Sequence, residues 1–156
     1  MSVRRGSRRG FSLIELLIVI AIILIIAAIA MPKLTSARKY AYEMAAIRTL
    51  VTLHTAQTQY FSTYGRYATN LGELGPPPGG GNPTASASDL ISGDLAAGNK
   101  SGYKFNMVGS PQGYTINADP QVFNTTGTRS FFTDQSTVIR EHIGNEPATV
   151  NDPEIK

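Results

Sequence analysis

The sequence predicts an α+β protein: a long N-terminal helix, transmembrane in its first half and amphipathic in its second, kinked near Pro32 and packed on a small antiparallel β-sheet of three or four strands. Three observations predict it. Residues 11–31 are apolar apart from Ser12 and Glu15. Residues 34–64 contain no Gly or Pro and repeat apolar side chains at helical spacing. Beyond them, short segments rich in β-formers alternate with turn residues.

The chain has 156 residues, room for one compact domain and not for a large multidomain enzyme. Hydrophobic residues make up 42% and charged residues 16%, against about 25% charged in an ordinary soluble domain, so the apolar content is concentrated somewhere. With no cysteine, the chain has no disulfide framework, thiolate metal site or Cys nucleophile. The net charge of +3 comes from the terminus, because Arg4, Arg5, Arg8 and Arg9 lie in the first ten residues and the remainder holds 10 basic against 11 acidic side chains. It gives no support to a nucleic-acid-binding surface.

In chain order, residues 1–10 form a short basic leader. Residues 11–31, at 1.5 Å per residue, make a helix about 31 Å long, enough to cross a hydrocarbon core of about 30 Å. The four arginines before the run put its start in the cytoplasm by the positive-inside rule. Pro32 removes one backbone donor and is expected to bend the helix. Residues 32–64 continue it into the head, with a stripe of Met44, Ile47, Val51, His54 and Phe61 widened by Leu50, Leu53 and Tyr60. Gly65 suits a helix stop. Residues 65–156 then form a globular head. Residues 65–102 are rich in Pro, Gly, Ser and Asn and read as loop, with one short helical turn at residues 71–74. Residues 103–141 hold the sheet, from segments 103–108, 113–118, 129–134 and 136–141, and the apolar helix stripe is the candidate to cover one face of it. Residues 142–156 read as a C-terminal loop.

The junction Gly10-Phe11-Ser12-Leu13-Ile14-Glu15, between a basic leader and an unbroken apolar run, resembles the class III signal of type IV pilins and of the related type II secretion pseudopilins. The motif covers residues 6–32, and the order of helix, loop and sheet extends the likeness more weakly over the whole chain. The resemblance implies cleavage by a prepilin peptidase between Gly10 and Phe11 and N-methylation of Phe11. It matches Glu15 to the acidic residue at the fifth mature position and Pro32 to the proline of the early helix. It further implies a non-enzymatic subunit, without cofactor, that polymerises with itself through its N-terminal helix. The partners so implied are an inner-membrane platform protein, a cytoplasmic assembly ATPase and an outer-membrane secretin. The implied life history is a single-pass inner-membrane precursor followed by a periplasmic or extracellular filament serving adhesion, motility, DNA uptake or protein secretion.

An ionised side chain among Leu and Ile costs about 2.5–3.5 kcal/mol at a membrane centre, so Glu15 calls for a partner. One reading pairs it with the positive end of its own helix; the other pairs it with the Phe11 amine of a neighbouring subunit. Two export alternatives also stand. Ser7-Arg8-Arg9-Gly10-Phe11 resembles a twin-arginine start, and Ala28-Ile29-Ala30 has the form of a signal peptidase site, which together would release a soluble binding module beginning at Met31. A single-pass anchored domain that never polymerises is the other. Glu15 within the run, the run's length and the continuing helix weigh against release.

Other candidate chemistry is thin. His54 and His142 read as packing or boundary residues. Gly79-Gly80-Gly81 lacks the Lys and Ser/Thr of a phosphate loop, and Asn124-Thr125-Thr126 fits a glycosylation sequon weakly. Asp134, Asp152 and Glu154 are scattered, without cation-loop spacing. Tyr60, Phe61, Tyr64 and Tyr67 read as core packing at the helix end. Lacking the C-terminal Cys pair of many Gram-negative pilins, the chain has to hold its last segment by other means.

Overall fold

A computed structural model describes residues 10–155, apart from the side chains of Met31 and Pro32. The basic leader with its four arginines lies outside the described residues. The chain divides into two compact units, Met1–Ser36 and Ala37–Lys156.

Helix α1 (Leu13–Tyr64) runs through both units and through Pro32 as one element. It stops at Gly65, which takes a φ of +71° and donates its N–H to Phe61 O at 2.8 Å, a left-handed closure that costs a glycine no Cβ strain. Helices α2 (Leu71–Leu74) and α3 (Gly93–Ala96) are single turns. They precede β1 (Asn99–Lys100), β2 (Tyr103–Ser110), β3 (Gly113–Pro120), β4 (Arg129–Asp134) and β5 (Ile139–Ile143). The strands form one antiparallel meander in sequence order.

The sheet thus has five strands rather than three or four. The addition, β1, is two residues long and pairs Asn99 with Lys104, too short to show periodicity in the sequence. β5 also begins later than the segment read as residues 136–141, because Asp134, Ser136 and Thr137 form the turn: Thr137 N–H bonds to Asp134 O at 3.0 Å and Ser136 N–H to Asp134 Oδ1 at 2.8 Å.

Period-two burial shows how β2 and β3 face the core. Tyr103, Phe105 and Met107 are buried while Lys104, Asn106 and Val108 are exposed, and Tyr114, Ile116 and Ala118 continue the buried face. On the helix the buried face is Ala46, Leu50, Leu53, Ala56, Gln57 and Tyr60. This shifts the expected stripe, since Val51 stays 53% and Phe61 43% exposed. Small Ala46 and Ala56 and polar Gln57 lie at the centre, where a search for large apolar residues does not look.

The Pro- and Gly-rich stretch, residues 65–102, also feeds the core through Leu71, Leu74, Ile91 and Leu95. Leu90 and Ile91 donate their N–H groups to Leu74 O at 2.8 and 3.0 Å, and Tyr60 donates its hydroxyl to Ala85 O at 2.6 Å. Among turn residues, Gly127 has a clear steric reason: a Cβ there would sit 2.1 Å from the Tyr103 hydroxyl.

The last segment, residues 144–155, lies against β3, β4 and β5. Asn117 Nδ2 donates to Ala148 O at 2.8 Å and Ser130 Oγ to Glu146 O at 2.5 Å. Glu141 N–H bonds to Pro153 O at 2.9 Å and Ile155 N–H to Ile139 O at 3.0 Å, continuing the sheet beyond its β5 edge. Asp152 ties the segment together, accepting from Thr149 N–H at 2.7 Å and pairing with His142 Nδ1 at 3.0 Å, while Arg140 reaches Asp152 O and Glu154 Oε1.

Two substitutions on α1 separate this packing from the expected stripe. Leu53→Ala should cost the Ala37–Lys156 unit about 2–5 kcal/mol in urea unfolding, and Val51→Ala should stay within about 0.5 kcal/mol. Equal losses would contradict the helix orientation described. Asp152→Ala should leave the unit folded and accelerate proteolysis at residues 144–155 specifically, read by mass spectrometry of the first fragments.

Candidate functional site

The residues implied in processing lie where α1 begins. Gly10 is exposed, with open space where a Cβ would project, and Phe11 is 87% exposed. Ser12 precedes the first helical residue, and Glu15 Oε2 accepts the Ser12 N–H at 3.3 Å. This is half of a capping box, satisfying a backbone donor that the helix itself leaves unpaired and placing a carboxylate at the positive end of the helix dipole. The Ser-x-x-Glu spacing was present in the sequence as a signal for it, obscured there by the overlapping junction motif. The geometry realises the pairing of Glu15 with its own helix.

From Phe11 to Ile29 every large apolar side chain is 46–87% exposed, on all sides of the helix. Each such side chain is worth about 1.5–3 kcal/mol on full burial, so this surface calls for a bilayer or other chains around it. By length and composition the helix is able to cross a membrane.

The second half of α1 is held to the sheet by polar groups that fix its register. Glu43 is 5% exposed and accepts from Thr128 N–H at 2.8 Å, Thr128 Oγ1 at 3.0 Å and Arg129 Nε at 2.9 Å. Arg129 also reaches Glu141 at 2.6 Å, so one guanidinium joins α1, β4 and β5. Burial acts to raise the Glu43 carboxyl, but the Thr128 and Arg129 donors outweigh it and hold the group below its ordinary range.

Gln57, fully buried, completes a backbone-like pair with Ala68, donating Nε2 to Ala68 O at 3.0 Å and accepting Ala68 N–H at 2.9 Å. Glu73 gathers Arg66 at 2.8 Å and Thr69 N–H at 3.1 Å, and at 3.0 Å it shares with Ala85 O the single Tyr60 O–H. Neither Glu43 nor Gln57 was singled out by the sequence, because a lone polar residue in an amphipathic helix is normally solvated.

His54 is a core residue. Thr133 donates its single O–H to Val138 O at 2.8 Å, so it accepts from His54 Nε2–H at 3.0 Å, and Nδ1 accepts from the Tyr114 hydroxyl at 2.8 Å. Burial, opposed in part by Asp134, lowers the imidazole pKa. An open groove of about 650 Å³ adjoins it, lined by Val51, Thr55, Thr58, Gln59, Ser62 and Thr137, and both His54 nitrogens are engaged away from chemistry there.

The remaining candidates are structural. His142, Asp152 and Glu154 hold the last segment, as described, and Asp134 caps the Ser136 turn. Gly79 and Gly80 take φ of +71° and +73° in an exposed turn. Asn124 accepts from Lys39 Nζ at 2.9 Å. Ring pairs Tyr60–Tyr64, Phe61–Tyr67 and Tyr67–Tyr114, with centroids 4.7, 4.8 and 5.2 Å apart, pack the helix end against the sheet. Among the described residues no group of three His, Asp or Glu is placed to share a metal ion.

Residues 5–31 match the family model described as the prokaryotic N-terminal methylation motif. Over 103 residues the chain is 37% identical to the type IV major pilin protein PilA of Myxococcus xanthus (strain DK1622), an alignment covering 66% of this chain and 47% of that protein. The chain is thus similar to type IV pilins, most plainly at its N-terminal motif. It spans about half the length of the curated relative it matches. No solved structure matches it significantly. The matched motif takes in the Gly10–Phe11 junction and Glu15 together with the exposed apolar surface.

Two expectations follow from the polar lock. Glu43→Leu should destabilise the Ala37–Lys156 unit by about 3 kcal/mol, near the lower end for breaking a buried pair because Arg129 keeps Glu141, and Glu43→Gln should lose less. A urea midpoint unchanged in Glu43→Leu would remove this pair from the account. For His54 the sign is set by its lowered pKa: the unfolded imidazole takes up a proton first, so stability present above about pH 6.5 is lost as pH falls toward the folded-state value. His54→Gln should flatten the stability profile between about pH 7 and 5, measured as urea midpoint against pH.

Proposed function

We propose that this chain is the structural subunit of a type IV pilus: a membrane-inserted precursor, cut by a prepilin peptidase between Gly10 and Phe11, methylated at Phe11 and polymerised through α1. The observation that carries the reading is the methylation motif joined to a helix whose apolar surface is left exposed among the described residues. A filament core of neighbouring helices buries that surface as lipid did before assembly. Because lipid is also apolar, helix packing and polar pairing set the geometry, and extraction draws on external work from an assembly ATPase acting through a platform protein. In a Gram-negative envelope a secretin would pass the filament outward. Pro32 is the bend point, and the Ala37–Lys156 unit forms the outer surface.

The relative described as a major pilin favours a pilus over a secretion pseudopilus. The continuous α1 through residues 28–31 disfavours release by signal peptidase, whose substrates present extended backbone at the cut. Glu15 is assigned a second partner in the filament, the Phe11 amine of the neighbouring subunit, which replaces its bond to Ser12 N–H.

Intact-mass analysis of filament or membrane material should show loss of MSVRRGSRRG and gain of one methyl group; a mature chain beginning at Met31 would refute the reading. Gly10→Val should leave an uncut precursor. Glu15→Leu should insert and be processed yet yield few sheared filaments, because it lacks a pairing worth at most about 4 kcal/mol at 4 Å and an effective dielectric of 20. Parental filament yield from Glu15→Leu as sole subunit would dismiss the pairing, and accumulated precursor on the same blot would identify failed cleavage instead.

A further inference from the structure

The turn between β3 and β4 displays two apolar side chains on a fixed frame. Val122 is 55% and Phe123 41% exposed, although Thr126 N–H bonds to Val122 O at 2.9 Å and Asn124 N–H to Gly127 O at 2.8 Å. Thr128 is bound to Glu43, and Lys39 Nζ clamps Asn124 to α1. Beside the turn, Tyr42 is 37% exposed. The Tyr42 ring borders Gly102 and Thr126, since a Cβ on Gly102 would lie 3.4 Å from Tyr42 Cγ and 3.1 Å from Thr126 Cβ.

Charge on this surface has one sign. Arg38 and Lys39 precede Tyr42 on α1, no Asp or Glu occurs between Glu15 and Glu43, and residues 120–128 carry no charge. Glu43 itself is committed to Arg129 and Thr128. A tyrosine, cations and an apolar tip in one patch are the composition of a membrane–water interface. The patch also follows closely in sequence on the apolar run ending at Met31. A second copy meeting it face to face would bring the same uncompensated cations, whereas an anionic headgroup supplies the missing charge.

We propose that Arg38, Lys39, Tyr42, Val122 and Phe123 form a surface that seats the unassembled subunit on an anionic phospholipid leaflet. The proposal rests on membrane insertion of α1 as read above. Val122 and Phe123 enter the headgroup region, the Tyr42 ring lies at its level, and Arg38 meets lipid phosphate. The head is thereby fixed in orientation before assembly, and leaving the membrane breaks this contact as well as withdrawing the helix.

The absence of cysteine permits single labels. The full chain with Thr125→Cys, Ile23→Cys or Thr115→Cys, each carrying an environment-sensitive fluorophore, is reconstituted at low protein-to-lipid ratio. The vesicles contain phosphatidylethanolamine with phosphatidylglycerol, or phosphatidylcholine alone, and nitroxide lipids serve as quenchers. The Thr125 label should be quenched in the anionic vesicles and much less in phosphatidylcholine, the Thr115 label in neither, and the Ile23 label in both. Adding Arg38→Gln should lower the ratio of lipid-seated to free Thr125 label about fivefold, the worth of one cation at an anionic surface. A quenched Ile23 with an unquenched Thr125 label overturns this proposal and leaves insertion standing. An unquenched Ile23 label overturns both. Quenching of Thr125 that ignores headgroup charge and Arg38→Gln, or protection that grows with protein-to-lipid ratio as a second copy would produce, also overturns it.

Discussion

One helix has to be buried in two different ways, and the rest of the molecule follows from that. Up to Ile29, α1 is apolar on all sides and its large apolar side chains stay exposed among the described residues, so its environment is supplied from outside. Within the Ala37–Lys156 unit the same helix has one buried face, and that face mixes apolar Leu50, Leu53 and Tyr60 with polar Glu43, Thr49, His54 and Gln57. The polar members distinguish the two regimes. A purely apolar second half would be free to slide along the sheet. Glu43 on Thr128 and Arg129, His54 on Tyr114 and Thr133, and Gln57 on Ala68 each have one satisfactory position, and a one-residue slip leaves all three buried and unpaired.

The parts of the fold legible in the sequence were those with long or repeated signals. The helix was readable from its apolar run and from the freedom of residues 34–64 from Gly and Pro, and β2 and β3 from alternation; residues 71–74 were read as one short helical turn within a loop. The stripe on α1 was displaced because large apolar residues were counted, whereas the buried centre uses Ala46, Ala56 and Gln57, which close packing against the sheet and the residue 68 backbone requires. Leu71, Leu74, Ile91 and Leu95 were hidden by the Pro- and Gly-rich composition around them, although four Leu and Ile side chains in such a stretch are expensive to leave in water. Of the site, Gly10, Phe11 and Glu15 were legible as a motif. The Glu43–Arg129–Glu141 connection was not, because it joins residues remote in sequence and nothing in either segment specifies the other.

The last segment shows how a cysteine-free head closes. A disulfide would hold residues 144–155 at one point, mainly by restricting the unfolded chain. Here the hold is distributed over backbone bonds at Ile139 and Glu141, side-chain bonds from Asn117 and Ser130, and the Asp152 cluster. Such a closure is indifferent to redox conditions. It is sensitive to acid instead: the His142 contact first, then the Thr149 donors, lower the Asp152 pKa, and Glu43 and Glu73 are also lowered. Carboxylates so held contribute stability above their ordinary range and lose it as pH falls through their folded-state values, the same direction as His54.

On the proposed reading, the bond between Glu15 and Ser12 N–H would bear on how a subunit waits in the membrane. A carboxylate entering lipid without a partner would resist insertion, and at the helix start it finds one in its own backbone and in the dipole. Cleavage after Gly10 would then change the choices open to it. The Phe11 nitrogen would pass from a neutral amide to an ammonium, and a neighbour's ammonium would offer the carboxylate a full opposite charge where a backbone N–H offers only a dipole. The uncut precursor would have no such group to offer, so processing and assembly would be ordered by the chemistry of the new terminus: a subunit that still carried its leader would keep Glu15 at home, and one that had lost it would hold both halves of a pair for another copy to complete.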